Sequence, residues 1–338
     1  MVTIYDIAAK AKVSAMTVSR VINNTGRISD KTRIKVKRVM EELNYVPNQM
    51  ARGLVLQHTR LLFLLIADIT NPFYTTLARG AEDAANKSGY RLLFGNSDES
   101  LAKESDYIQT ILATRVDGAL LAPIGDPSLA HLEQLRLHNV PFVLLDREVP
   151  GIECDIVLGD SKEGGHKLMD HLVAHGHRSI AMINGSSSVS SARLRLQGYR
   201  EALKLNDLIV PDGYVQETSF GPLSDLTEMD AWLSSLNPMP TAILAGNNVL
   251  ALEIIRLLYK RGLRIPEDIS LCCFDDLGPY SEIEPFVTVA LQQAYQFGYL
   301  GMQMLIERIE NRESTTSWKK IVLPTELVPG RSVKNLVD

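Results

Sequence analysis

The sequence, 338 residues long, predicts an all-α helix-turn-helix head followed by an α/β body of two doubly wound parallel-sheet lobes. Three observations carry that prediction. The first sixty residues hold eleven Lys or Arg against four Asp or Glu, a balance of +7, while the rest of the chain holds 24 against 36, or −12, beneath a whole-chain charge of only −5. Apolar residues in the head recur at helical spacing within short segments. From residue 61 onward short β-rich runs alternate with amphipathic stretches, the pattern of parallel sheets wound with helices.

Taking the elements in order, Thr3 is an N-cap for a helix carrying Ile4, Ile7 and Ala8, and Ser14 caps a second with Val18, Val21 and Ile22 on one face. A helix of about two turns, a short turn and a second helix form the arrangement whose second member enters the major groove amino end first. A third helix starts at Ser29 or Asp30 and aligns Val36, Val39, Met40 and Leu43. The head therefore spans 1–46, and its cationic surface recruits phosphate backbones by releasing their counterions. On the second helix Ala15, Met16 and Arg20 are the base-reading candidates: Arg reads guanine bidentately, and Ala and Met offer apolar contact to a thymine methyl. Tyr5, Thr17, Ser19 and Asn23 carry groups suited to phosphate oxygens, as do Thr3, Ser14, Ser29 and Thr32 at the helix starts. Residues 47–60 read as a hinge. Pro47 can open a short helix bearing Asn48, Arg52 and Leu54, and a leucine wedge in the minor groove would kink the duplex.

In the body, LLFLLIAD precedes a helix near 75–88, RLLFGNSD one over 101–114, and GALLAPI one over 127–137, before PFVLLD. The rhythm restarts at DIVLGD and runs through SIAMING, YVQETSF, TAILAGN and ISLCCFD. Ligands of such sheets bind outside the carboxyl ends of the strands, so two facing lobes would enclose a small molecule. The polar strand-end residues are Asp68 and Asn71 with Phe73, then Asp146 and Arg147, Asn247 and Asn248, and Asp275 and Asp276. Carboxylates and amides, an Arg and a flat aromatic suit a polyhydroxylated ring. Several of these residues could equally cap the helices that follow.

Other function classes find no support. There is no phosphate-cradling glycine loop, no GxSxG elbow and no CxxC pair, so neither an enzyme nor a cofactor is expected. Cys154, Cys272 and Cys273 read as small apolar residues. His171 and His175 read as the last turn of a helix closed by Gly176 rather than as metal ligands. The opening lacks a signal peptide and runs such as Leu61 to Ala67 are too short to span a bilayer, so the expected location is the cytoplasm.

The segments TIYDIAAKAKVSAMTVSRVIN, ISDKTRIKV and ELNYVPNQMARGL resemble the head and hinge of the lactose-repressor (LacI/GalR) family. The body resembles the periplasmic-binding-protein-like core of the same repressors. By that resemblance Ala15, Met16 and Arg20 read bases, Leu54 is the intercalating leucine, and a homodimer reads palindromic operator DNA with a central CG step. The resemblance implies three crossings between lobes, near 159, 291 and 320. One lobe then comprises 61–158 and 293–320, and the other 159–292 and 321–338. Within SSSVSSARLRLQGY the ligand-gripping arginine matches Arg195, with Arg193 its neighbour; Phe220 matches the cleft aromatic, Asp275 the effector-binding aspartate, and Gln292 joins the effector set at the second crossing. Asn248 departs from the family's common aspartate, and Ala122 from a polar position in some sugar-binding members. The tail carries no leucine heptad, which points to a dimer. The implied function is repression of a carbohydrate-use operon under a sugar or sugar-phosphate effector. The alternative is a catabolite-control regulator whose co-regulator is a phosphorylated carrier protein docking on the N-terminal lobe.

Overall fold

The structure is a computed structural model describing residues 2–46, 58–209, 211–221, 223, 225–278, 285–311 and 317–337. Met1–Arg60 and Leu61–Asp338 are separate compact units. The predicted hinge residues Asn48, Arg52 and Leu54 lie outside the described residues.

In the first unit, α1 (Ile4–Ala11), α2 (Ala15–Asn23) and α3 (Asp30–Glu42) bury Ile7, Ala8, Ala11, Val18, Val21, Val36 and Val39 against one another. Their starts are set by side chains that satisfy otherwise orphaned amides. Thr3 and Asp6 cap each other reciprocally, Ser14 Oγ accepts from Thr17 N at 3.1 Å, and Ser29 Oγ from Thr32 N at 3.3 Å. Lys12 and Asn24, both left-handed, close α1 and α2. The turn between them is thus as short as the helix-turn-helix reading requires.

The second unit holds two sheets. The first has the order β11-β5-β4-β3-β1-β2, all parallel, with β1 (Leu61–Ile66), β2 (Arg91–Asn96), β3 (Gly118–Leu121), β4 (Phe142–Leu145), β5 (Asp155–Gly159) and β11 (Lys320–Leu323). The second has the order β12-β10-β9-β8-β6-β7, with β6 (Ile180–Gly185), β7 (Val215–Thr218), β8 (Ala242–Ala245), β9 (Ser270–Phe274), β10 (Thr288–Leu291) and β12 (Glu326–Val328). Only β12 runs antiparallel in it. Helices α4 (Pro72–Lys87), α5 (Leu101–Thr114), α6 (Leu129–Leu137) and α11 (Ala294–Glu310) flank the first sheet, and α7 (Ser161–Ala174), α8 (Ser190–Leu205), α9 (Thr227–Ser235) and α10 (Asn248–Lys260) flank the second. Because helices cover both faces, the central strands are almost continuously apolar, as in the LLFLLI of β1.

Two sequence expectations are corrected by strand pairing. The rhythm that restarts at DIVLGD does not open the second sheet: β5 lies inside the first, between β4 and β11, with Val143 opposite Asp155, in keeping with the crossing implied near 159. The third crossing lies at Pro324–Thr325 rather than near 320, because Lys320–Leu323 stays in register with Ile156–Gly159 before β12 joins β10. Neither pairing leaves a local mark in the sequence, since a short apolar strand reads the same in either sheet.

The return of α11 to the first sheet positions the cleft. It lies against α4 through two glycines: a Cβ on Gly80 would collide with the Tyr295 carbonyl, and one on Gly298 with the Leu77 carbonyl. This contact holds the start of α4 beside the crossing at 291–294. Gly298→Ala must push the helices apart, and an overpacked core of this kind costs about 1–3 kcal/mol. Urea unfolding of the full chain should show that loss, whereas unchanged stability would mean the helices part freely.

Candidate functional site

The head exposes a coherent face of α2. Val18 and Val21 point into its core, which leaves Met16 (63% exposed) and Arg20 outward, with Ala15 half-buried beside them. Tyr5 is likewise exposed, at 73%. The hydroxyl candidates are partly committed: Thr3, Ser14, Thr17, Ser29 and Thr32 all sit in cap bonds, with the Ser14–Thr17 and Ser29–Thr32 hydroxyl pairs each 2.9 Å apart. A hydroxyl in a cap can still accept or donate once more to a phosphate. Asn23 Nδ2 donates to Ser19 Oγ at 3.3 Å and its Oδ1 is buried without a partner, so this amide faces inward more than its neighbours do.

In the body, both sheets have strand orders that reverse beside their first strand, at β1/β3 and at β6/β8, and the carboxyl ends there define the cleft. Asn71, Phe73, Asp146, Arg195, Phe220, Asn247, Asp275 and Gln292 all line one cavity. Asp68, Tyr74, Glu99, Arg147 and Ser191 complete its wall. Arg195, on α8, lies 4.2 Å above the Phe274 ring and 5.5 Å from Phe220, and its Nη1 donates to the Gly246 carbonyl at 2.6 Å. Asp275, held with φ +61 at the end of β9, accepts from Gln292 Nε2 at 2.9 Å and Gln292 N at 3.3 Å. Tyr74 donates to Asp146 Oδ2 at 3.3 Å. Arg147 is clamped bidentately by Glu99, at 2.8 and 2.5 Å, and also donates to the carbonyls of Pro123 and Ile124.

Some members of the set serve the fold as well. Asn247 spends its amide on Phe220 O and its Oδ1 on Leu250 N, capping α10; Asn71 Oδ1 caps α4 through Phe73 N. Others line the cleft with unused capacity: Asp68 Oδ2, Arg147 Nε, Ser191 Oγ, Arg195 Nε and Gln292 Oε1 are buried and have no hydrogen-bond partner. Buried polar atoms are nearly always satisfied, so orphans concentrated around one cavity mark a place that receives a polar molecule. Among the described residues no group of three or more His, Cys, Asp or Glu is placed to hold a metal. His171 and His175 are ring neighbours, 4.2 Å between centroids, and the His175 Nδ1 is engaged with the His171 carbonyl.

A model for bacterial regulatory proteins of the lacI family matches residues 3–48, and one for the periplasmic binding protein-like domain matches residues 169–333. The HTH-type transcriptional regulator DegA of Bacillus subtilis (strain 168) is 35% identical over 336 residues, 99% of this chain and 98% of that protein. The chain belongs to the lacI family. The ribose operon repressor of the same organism is 36% identical over 315 residues, covering 92% of this chain and 93% of the repressor. The solved lac repressor dimer bound to operator and the anti-inducer ONPF is 28% identical, with a TM-score of 0.80 over 98% of this chain and 99% of that one. These relatives are regulators, not enzymes, and among the described residues no helix is long and apolar enough to cross a membrane.

In this LacI-family protein the lobes touch around the cleft. Asn248 Nδ2 donates to Asn71 Oδ1 at 3.0 Å, Glu148 N to Ser190 Oγ at 2.7 Å, and Asp126 N to the Ser188 carbonyl at 2.9 Å. Arg193, the neighbour of the gripping arginine, pairs with Asp126 at 2.8 and 3.1 Å. That pair is more than one-third exposed on both sides, so it contributes at most about 1 kcal/mol and biases closure without locking it. Between these contacts the cavity has about 20 Å³ of free space, about what one water needs.

Three wall residues escaped the sequence reading: Tyr74, Glu99 and Ser191. Glu99 had a signal, since it follows β2 in NSDES as the other acids follow their strands; Tyr74 and Ser191 reach the cavity only through helix geometry. The charge balance is four carboxylates, Asp68, Glu99, Asp146 and Asp275, against Arg147 and Arg195. Burial pushes Asp275 up to about 6, against the pull of nearby Arg195 and the Gln292 hydrogen bond. Its folded-state proton affinity is thus raised, so its contribution to stability is present below about pH 4 and is lost as pH rises through about 6. From pH 5 to 7.5, Asp275→Asn should therefore gain stability relative to the parent by about 1–3 kcal/mol. Urea titrations at both pH values check this, and a difference independent of pH would be evidence against a buried, proton-retaining Asp275.

Proposed function

We propose that the chain is a homodimeric transcriptional repressor of a carbohydrate-use operon, acting in the cytoplasm and controlled by a sugar or sugar phosphate bound between the lobes of its body. The concentration of buried donors and acceptors without a hydrogen-bond partner around one cleft carries this reading, because they match the vicinal hydroxyls of a polyol. Arg195, buried over Phe274 with its Nε free, favours a small ligand over a carrier protein acting from outside the cleft.

The head supplies the DNA-binding function. The outward Met16 and Arg20 of α2 read bases together with Ala15, while Tyr5 and the hydroxyls of the caps take phosphates. A palindromic operator follows from two heads related by a two-fold axis. No chemical step is involved, and no metal or cofactor is required. The control is a coupling between sites: an effector that prefers one lobe arrangement shifts its population, and a coupling of about 1–3 kcal/mol changes operator affinity by about 5- to 150-fold.

Selection from a random duplex library supplies the operator for testing, and thermal shift of the full chain against sugars and sugar phosphates supplies the effector. At one hundred times its dissociation constant the effector adds about 2.7 kcal/mol of stability. Arg20→Ala should then abolish discrimination at one base pair per half-site, at about 1–3 kcal/mol; a uniform loss across sequences would reassign Arg20 to a phosphate. Arg195→Ala should bind the operator as the parent does but lose both the thermal shift and the effector response, and a variant that still responds would remove Arg195 from the ligand's contacts.

A further inference from the structure

We propose that Glu104, a buried carboxylate outside the wall of the cleft, is a positioning residue for the contact between the lobes: it fixes the loop 122–128, and through Asp126 of that loop it governs how readily the lobes part. This rests on the reading of lobe position as the element that an effector controls. Glu104 lies on α5, and both of its carboxylate oxygens are spent outside that helix. Oε2 accepts from Ile124 N at 2.9 Å and from the Ser128 hydroxyl at 3.0 Å, and Oε1 meets His131 Nδ1 at 2.6 Å. The Ser128 oxygen, itself fully buried, accepts in turn from Ile124 N at 3.1 Å and Gly125 N at 3.4 Å. A buried carboxylate is tolerated only where such donors replace its water.

The loop so held faces the second lobe. Asp126 N donates to the Ser188 carbonyl at 2.9 Å, and the Asp126 carboxylate takes both terminal Arg193 nitrogens. A Cβ on Gly125 would stand 2.8 Å from the same Ser188 carbonyl, so the two backbones meet with no room for a side chain. The Pro123 and Ile124 carbonyls of the loop receive Arg147 from the wall of the cleft. Helix capping does not account for this arrangement. Ser128 precedes α6 but gives that helix no side-chain cap; its hydroxyl turns back to the loop and to Glu104. His131, in the first turn of α6, is nearly buried as well, so its contact with Glu104 ties α5 to α6 with the loop held between them. The Asp126–Arg193 pair is more than one-third exposed and weak by itself. Its hold therefore depends on how firmly the loop presents Asp126, since a contact made from an ordered loop does not have to offset the entropy of ordering it.

The test is amide hydrogen exchange on the full chain with no ligand added, read at Glu148. That amide donates across the lobes to Ser190 Oγ at 2.7 Å from a different loop of the first lobe, so parting of the lobes exposes it and loosening of the Glu104 loop alone does not. Glu104→Ala and Asp126→Ala should each speed Glu148 exchange by about fivefold or more, and the double variant should fall short of the product of the two, because Glu104 acts through Asp126. Glu104→Gln offers an amide oxygen in place of Oε2 and an amide nitrogen that can donate to His131, so it should stay within about twofold of the parent. Throughout, the amides of β1 should exchange about tenfold or more slowly than Glu148, as they do when the lobes part without the chain unfolding. Should Glu104→Ala not fold, Ser128→Ala, which removes the hydroxyl shared by Glu104 and the loop amides, carries the same expectation. Glu148 exchange unmoved by these variants, a double variant equal to the product, Glu104→Gln as fast as Glu104→Ala, or Glu148 and β1 exchanging together would each overturn the positioning role. None of these outcomes touches the effector reading, which the thermal-shift screen decides separately.

Discussion

The ion pair between Arg147 and Glu99 is the constraint on which the cleft depends. It joins the end of β4 to the loop after β2, and through the Pro123 and Ile124 carbonyls it also fixes the loop after β3. Arg147 is only 2% exposed, so its charge could not be left unpaired: removing one partner of such a pair costs about 3–5 kcal/mol, far more than the pair adds over an apolar replacement. The first lobe therefore presents a rigid, pre-charged wall. Glu99 lines the cavity, and the Phe220 ring, 5.7 Å from the Arg147 guanidinium, meets this pair from the other lobe.

The second lobe answers with Arg195 and Asp275, buried groups whose charge is only partly compensated inside the protein. Burial raises Asp275 and lowers Arg195 from their ordinary values, which means the folded chain holds both against a solvation cost. A bound ligand whose hydroxyls donated to Asp275 and accepted from Arg195 would relieve that cost within this one lobe. Reaching Asp146 and Asn71 across the cleft as well would tie such a ligand to both lobes. Of the interlobe bonds already present, the half-exposed pair of Arg193 with Asp126 is weak, and the single neutral hydrogen bond from Asn248 to Asn71 adds about 1 kcal/mol. Weak contacts of this kind suit a switch, since a strong latch would leave a ligand nothing to shift.

The head follows the opposite design. Its core of small aliphatic residues is modest, its three starts are secured by short polar caps, and the face of α2 turned outward holds Met16 and Arg20, side chains with no structural task. One face of α2 is thus given to the fold and the other is left free, whereas in the body Asn71 and Asn247 cap helices and line the cleft at once.

By itself the sequence determined whatever is local or periodic. Thr3, Ser14 and Ser29 mark helix starts because a cap acts over three residues, the alternation of apolar runs and amphipathic stretches sets the α/β order, and the rule that ligands meet strand carboxyl ends gathers Asp146, Asp275 and Asn247 before any coordinates exist. Only the tertiary structure decided what depends on distant pairing: that β5 belongs to the first sheet, that the third crossing waits until Pro324, that Asn247 spends its amide nitrogen on the Phe220 carbonyl, and that Glu99 meets Arg147 across 48 positions. The physical reason is that a strand's apolar pattern is the same whichever neighbour it pairs with, and a charge's partner is chosen by register and burial, quantities that no short window of sequence contains.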